Sequence, residues 1–467
     1  MGSENNTSTA DLTSTSAAMD SAPKEAKTMG VLEIEVKPDG RTSDEHHVPV
    51  KRSWIQRTFG PMIQGSARGF IFSLVASALG TGVLTLPYML KSSGLVLGLC
   101  LISLGATLCW ISLAMLAYAT FKENETEYFP LVTKVLGKKV AAIFSCLIAF
   151  YGIGAAVSFQ ITIAEFFPEI ISDLTGNHYV PTQTQRFLQI MVLALLMFPA
   201  TLMRNLSGFR CGAIFGVCCI LYILFVVIFQ TPSYIAENDS LSKIEFFKFD
   251  MNFFTSFALA AFSFTCHSNL LPIRSELARP SLRRLDKVVR RAVAIDASLY
   301  VTMAICGYLS MADKTPQLII SRPPLSNAGS DWEMALALVA MTCTLIISII
   351  TNLAPTRAQI LVLLGKPSQV DTKTHFLTTA AVLFSTSLIA FAVPNVIAAL
   401  GLIGGIACVS ASITFPFLIF AKIKEKEIES GESTSSKSLV WIVRFFAVLF
   451  SILGMIGAGV SFAQALN

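Results

Sequence analysis

Charge is what this chain most lacks. Asp, Glu, Lys and Arg make up 14% of its 467 residues, where soluble domains carry roughly 25%. That is too little to clothe a water-facing surface. The formal net charge of +5 is small and unevenly spread, and marks no nucleic-acid partner. Histidine is scarce too, with five in all, and no HExxH or repeated acidic motif gathers ligands or catalytic groups. Neither an enzyme nor a cofactor or metal site is therefore expected. The charge rings or filter sequence that a channel would need are missing as well. The ten cysteines form no CxxC pair and all fall in or beside apolar runs. That excludes a disulfide scaffold and leaves them as small packing residues between helices.

What is abundant is apolar chain: 53% of residues are hydrophobic. A bilayer-spanning helix needs about 20 such residues, and eleven segments approach or exceed that length: 69–90, 93–120, 140–168, 187–203, 208–230, 253–275, 288–311, 332–363, 375–393, 395–421 and 438–463. The expected fold is all-α, a polytopic membrane protein of eleven transmembrane helices embedded in a lipid bilayer. Residues 1–60 differ: rich in Ser, Thr, Glu, Asp and Lys, with no apolar signal segment, they read as a disordered cytosolic tail. Residues 66–463 form the membrane domain. Arg274, Arg279, Arg283, Arg284, Lys287, Arg290 and Arg291 crowd the connection after the sixth segment, with smaller basic groups at 51–57, 134–139 and 422–426. By the positive-inside rule these ends are cytosolic. The N-terminus is then cytosolic, and an odd span count puts Asn467 outside or in a lumen. Of the N-glycosylation tripeptides, only the one starting at Asn238 falls in an expected external loop.

Two segments are poor anchors. The first is broken at its centre by Gly80-Thr81-Gly82, with Pro87 behind. The sixth sets Phe262-Ser263-Phe264-Thr265-Cys266-His267-Ser268-Asn269 at mid-membrane depth, with Pro272 following. Irregular backbone at that depth is tolerated where it lines a cavity, and there it can hold a polar ligand. His267 alone is equally well read as a hydrogen-bonded tie between helices or as a working group. The two breaks lie five spans apart, as in a five-plus-five inverted repeat whose first and sixth helices are discontinuous. Helix N-termini hold a carboxylate and C-termini an ammonium, so paired breaks suit a zwitterion.

These residues resemble the amino acid/auxin permease family, within the amino acid–polyamine–cation superfamily, over nearly all of residues 66–463. The likeness rests on GTGVLTLPY at 80–88, FPATLMRNLS at 198–207, FSFTCHSNLLPI at 262–273, Pro355-Thr356-Arg357, and VPNVIAALGLIGG at 393–405 with Pro416 beyond. It implies the inverted-repeat fold and alternating access driven by an ion gradient or by substrate alone. Carried over, Gly80, Thr81 and Gly82 would offer backbone donors to the substrate carboxylate. Phe262, Ser263 and Phe264 would bind the amine and close over the side chain. Ala78, Cys266 and His267 flank the same site, and Tyr151, Ser158 or Gln160 would add to its wall. Sodium-coupled relatives carry an asparagine where this chain has Ala76; Ser348 aligns with a threonine ion ligand and Thr351 lies nearby. Coupling to sodium, coupling to protons and uniport all stay open. Arg357 either snorkels or joins an inner gate. Asp296 either meets a substrate cation or pairs with Arg290 or Arg291.

The expected function is secondary active transport of amino acids, coupled to H+ or Na+. The alternative is a sensor that reports substrate occupancy to cytosolic partners. The expected membrane is the plasma membrane, with the vacuole or lysosome as alternative.

Overall fold

Inside a bilayer no water satisfies backbone N–H and C=O groups, so apolar chain folds into helices or closed barrels. The computed structural model describes residues 66–175, 180–203, 210–277, 280–325, 331–366, 370–393, 395–432 and 436–466, and every regular element among them is helical. The tail expected at 1–60 lies outside the described residues, as do Arg279, Pro394 and residues 204–207 of the second motif. The helices are α1 (Ala67–Ala78), α2 (Thr81–Ser93), α3 (Leu95–Glu123), α4 (Tyr128–Leu136), α5 (Lys138–Thr175), α6 (Gln183–Thr201), α7 (Arg210–Asn238), α8 (Asn252–Ser263), α9 (Leu270–Glu276), α10 (Leu282–Met311), α11 (Trp332–Leu363), α12 (Thr372–Ala392), α13 (Val396–Ile403), α14 (Phe415–Glu429) and α15 (Lys437–Leu466). Nine stretches among the described residues are long and apolar enough to cross a membrane, α13 and α14 forming one of them. α1 and α2 make a tenth, bent by 56° at their junction. The remaining expected segment, 253–275, is divided between α8 and α9.

The first break follows from local chemistry. Ser66 caps α1 by accepting from the Gly69 N–H at 3.3 Å. The helix stops at Ala78, Leu79 is extended, and α2 restarts after an extended Gly80 that supplies no side-chain cap. In the second break, residues 264–266 leave the helix and a 3₁₀ turn at His267–Asn269 leads into α9. Pro272 sits in the first turn of α9, where its missing N–H costs nothing. A continuous helix through this point would lack that donor.

Small residues set how closely the pieces approach, as is usual between helices in lipid. A Cβ on Gly82 would lie 2.6 Å from Ser263 Oγ and 2.9 Å from Ser263 Cα, so the two breaks are in direct contact. A Cβ on Gly404 would lie 2.2 Å from the Ala258 carbonyl oxygen. Gly404–Cys408 and Ser410–Thr414 are wound as π-helix, the form that single-turn bulges take near working sites.

The helix ends define two faces. One, the basic face, holds the start of α1, the end of α3, the end of α9 with the start of α10, and the end of α14 with the start of α15. There Arg274 donates to the Glu125 carbonyl at 2.6 Å and to Asn124 Oδ1 at 2.9 Å, with its guanidinium over the Phe121 ring. Tyr118 and Lys424 converge on Glu427, and Arg444 pairs with Glu425. The opposite face is stitched above the first break. Ser93 Oγ donates to Ser256 Oγ at 2.7 Å, Lys91 to the Thr315 carbonyl at 3.0 Å, and the backbone of 93–96 bonds to residues 245–248. Arg322 lies 4.0 Å over the Tyr234 ring. Burial pulls its guanidinium below the usual range, opposed by Tyr234 and Asp331. The Asn238 tripeptide belongs to this face, but its Ser240 hydroxyl is spent on the Leu309 carbonyl.

Candidate functional site at the helix breaks

A cavity of about 440 Å³ lies between the breaks, within the range of about 300–1,000 Å³ common for small-molecule sites. α1 contributes Ser73, Ser77 and Ala78, the junction Gly80, and the second break Phe262 and Thr265. α5 contributes Tyr151, and α11 contributes Ser348, Thr351 and Asn352. Ser73, Ser268 and Asn269 line it and are exposed, so it opens on the basic-face side of the breaks. The stitched opposite face closes its other end.

Among the sequence-derived candidates, Ala78, Gly80, Phe262, Ser348 and Thr351 share this one wall. Gly80 would meet nothing within 4 Å if it carried a Cβ, so it leaves free volume rather than allowing a close approach. The buried Thr81 has a hydroxyl without a partner, and Gly82 is spent on packing against Ser263. The other candidates point elsewhere. Ser263 donates to the Leu259 carbonyl at 2.9 Å. The Phe264 ring lies edge-on to Tyr300, 4.8 Å between centroids. Cys266 is buried beside Cys109. His267 Nε2 is 2.7 Å from Ser112 Oγ, and its ring borders a void of about 10 Å³, at or below what one water needs. The tie between helices is the arrangement found. Of the three wall residues expected from α5, only Tyr151 lines the cavity. Gln160 donates to Thr386 at 3.0 Å, and Ser158 to the Gly154 carbonyl at 3.0 Å. Arg357 donates to Thr379 Oγ1 on α12 at 2.8 Å and is not in the cavity wall.

One residue with no helix-break signature ties the site together. Tyr300 of α10 is fully buried, and its hydroxyl reaches the Ala78 carbonyl at 2.8 Å and the Ser263 carbonyl at 2.7 Å. It fastens the C-terminal ends of α1 and α8 to each other. One turn earlier, Asp296 is 2% exposed and pairs with neither candidate cation: Arg290 is taken by Asp286 at 3.1 Å, and Arg291 is exposed. The ion pair offered as one alternative for Asp296 is not formed, because Arg290 takes Asp286 instead.

Chemically, α2 begins at the cavity without a side-chain cap, and a helix start leaves its first N–H groups without intrahelical partners. Such an end attracts an anion by about 0.3–1 kcal/mol when exposed and up to ~2 when partly buried. Ser348 and Thr351 donate to carbonyls of their own helix at 2.9 and 3.0 Å. Their oxygens keep lone pairs for a hard cation such as sodium, which takes neutral oxygen donors.

The family model described as transmembrane amino acid transporter protein matches residues 64–459, and the chain belongs to that family. It is 23% identical over 450 residues to the sodium-coupled neutral amino acid symporter 2 of Danio rerio, covering 91% of this chain and 86% of the relative. It is 24% identical to the vacuolar amino acid transporter 6 of Saccharomyces cerevisiae, over 59% and 62% of the two chains. A Toxoplasma gondii protein named as a candidate amino acid transporter, AAT1, is 27% identical over 67% of this chain. The match spans 42–48% of the length of that protein and its two Plasmodium counterparts, about half of each.

Proposed function

We propose that this protein is a secondary active transporter that moves amino acids across a membrane by alternating access, with the zwitterion held where the first and sixth spans break. The carrying observation is that both breaks open into one cavity, free on one face and closed on the other. The substrate carboxylate sits at the start of α2, near Gly80 and Thr81. The ammonium meets carbonyls at the ends of α1 and α8, the negative poles of their dipoles. Phe262, Tyr151 and Thr265 surround the side chain. Its basic residues support reading the open face as cytosolic, and on that reading the conformation described faces inward. Two halves of five spans each rock against one another to open the other side, and α15 stands outside the repeat. The coupling ion is sodium or a proton. The membrane is the plasma membrane or, as for the named yeast relative, that of a vacuole.

The test is uptake by the purified chain in liposomes, across the twenty amino acids, under imposed sodium or proton gradients. Saturable uptake supports the reading. Binding with no flux under any gradient overturns it in favour of a sensor.

A further inference from the structure

We infer that Asp296 is the residue that carries the coupling proton, and that Tyr300 links its protonation to the substrate site. This rests on the transporter reading above and names the coupling device of that same site.

The placement is unusual. Asp296 lies within a membrane-spanning helix, 2% exposed, with Oδ1 bonded to nothing and no cation in ion-pair range among the described residues. Ionised carboxylates in such settings cost several kcal/mol unless paired, and an intramembrane acid is a functional group by default. Facing Asp296 are Tyr300 on its own helix and Cys266 of the second break. Beside Cys266 lie Cys109 of α3 and, next in sequence, His267, which is bonded to Ser112. No described charged group on α1, α2, α3 or α7 acts on Asp296 electrostatically. The only small cation that needs no prepared cage here is a proton.

The i, i+4 spacing puts Asp296 and Tyr300 on one face of α10. With a proton on Asp296, the Tyr300 hydroxyl is left to the Ala78 and Ser263 carbonyls, the arrangement observed. When Asp296 releases its proton to water, the carboxylate becomes the stronger acceptor for that hydroxyl. Drawing it away unfastens α1 from α8 and loosens the carbonyls that receive the ammonium. Proton and amino acid therefore bind together and leave together, which is symport. Ser348 and Thr351 are left as wall residues.

The experiment uses the full chain in liposomes, with a radiolabelled mixture of the twenty protein amino acids as probe, and reads two processes. Exchange across the membrane without any gradient reports the transporter itself. Accumulation driven by a pH difference reports coupling; one pH unit supports an accumulation ratio of about tenfold at one proton per substrate. Asp296→Asn keeps exchange, now independent of pH, and loses accumulation. Tyr300→Phe raises KM at every pH while leaving the direction of coupling intact. A third readout needs no flux: the infrared carboxylic-acid carbonyl absorption of the wild type at neutral pH should lose one component in Asp296→Asn. Gradient-driven accumulation by Asp296→Asn, accumulation by the wild type under sodium alone, or identical infrared bands overturns the assignment while leaving the transporter standing. Failure of wild-type exchange overturns both.

Discussion

At the residue scale, two glycines two positions apart do opposite things. Gly82 is needed because Ser263 lies where its Cβ would go. Gly82→Ala should therefore destabilise the chain by about 1–3 kcal/mol, as overpacked substitutions do, and lower its thermal midpoint in detergent. Gly80 faces open space, so added side-chain volume there should leave the midpoint unchanged and enter the cavity instead. Tyr300→Phe removes the donor of two buried carbonyls and should cost about 1–3 kcal/mol, read as a lower unfolding midpoint. Sequence flagged the glycines correctly as a break, but it could not assign one to packing and the other to volume. That division depends on which atoms of α8 stand opposite, and contacts across 180 residues leave no local trace.

At the element scale, both breaks were legible because glycine, proline and polar residues interrupt apolar runs at mid-membrane depth. Facing was not. Phe262 and Ser348 line the cavity whereas Phe264, Cys266 and His267 turn toward α3 and α10, because 264–269 abandon the helical period on which a facing argument relies. Tyr300 went unrecognised as part of the site, since a tyrosine in an apolar helix carries no signature, while for Asp296 the sequence left a substrate cation and the nearby arginines as alternatives. The latch between α2 and α8 makes the element-level prediction. Ser93→Ala removes a buried hydrogen bond worth about 1 kcal/mol, enough to raise the fraction open on the stitched face about fivefold. Thiol labelling of Ala76→Cys, a residue in the cavity wall, should quicken about fivefold from the stitched face. An unchanged rate would show that the latch does not hold the conformation.

At the scale of the whole molecule, the charge-poor composition led directly to the all-helical membrane fold, and the uneven cations led to an orientation. That orientation is testable with two exposed positions on opposite faces, Glu432 and Asp313. In single-cysteine versions, an impermeant reagent added to intact cells should label Asp313→Cys and spare Glu432→Cys, if the protein is at the cell surface. The reverse pattern would invert the topology. The central claim, that the substrate lies at the junction of the two breaks, is tested most directly by Gly80→Val in liposomes, measuring amino acid exchange beside the thermal midpoint. The account predicts exchange lost or its KM raised at least severalfold with the midpoint unchanged. Exchange at the wild-type rate and KM with valine in that space would contradict it.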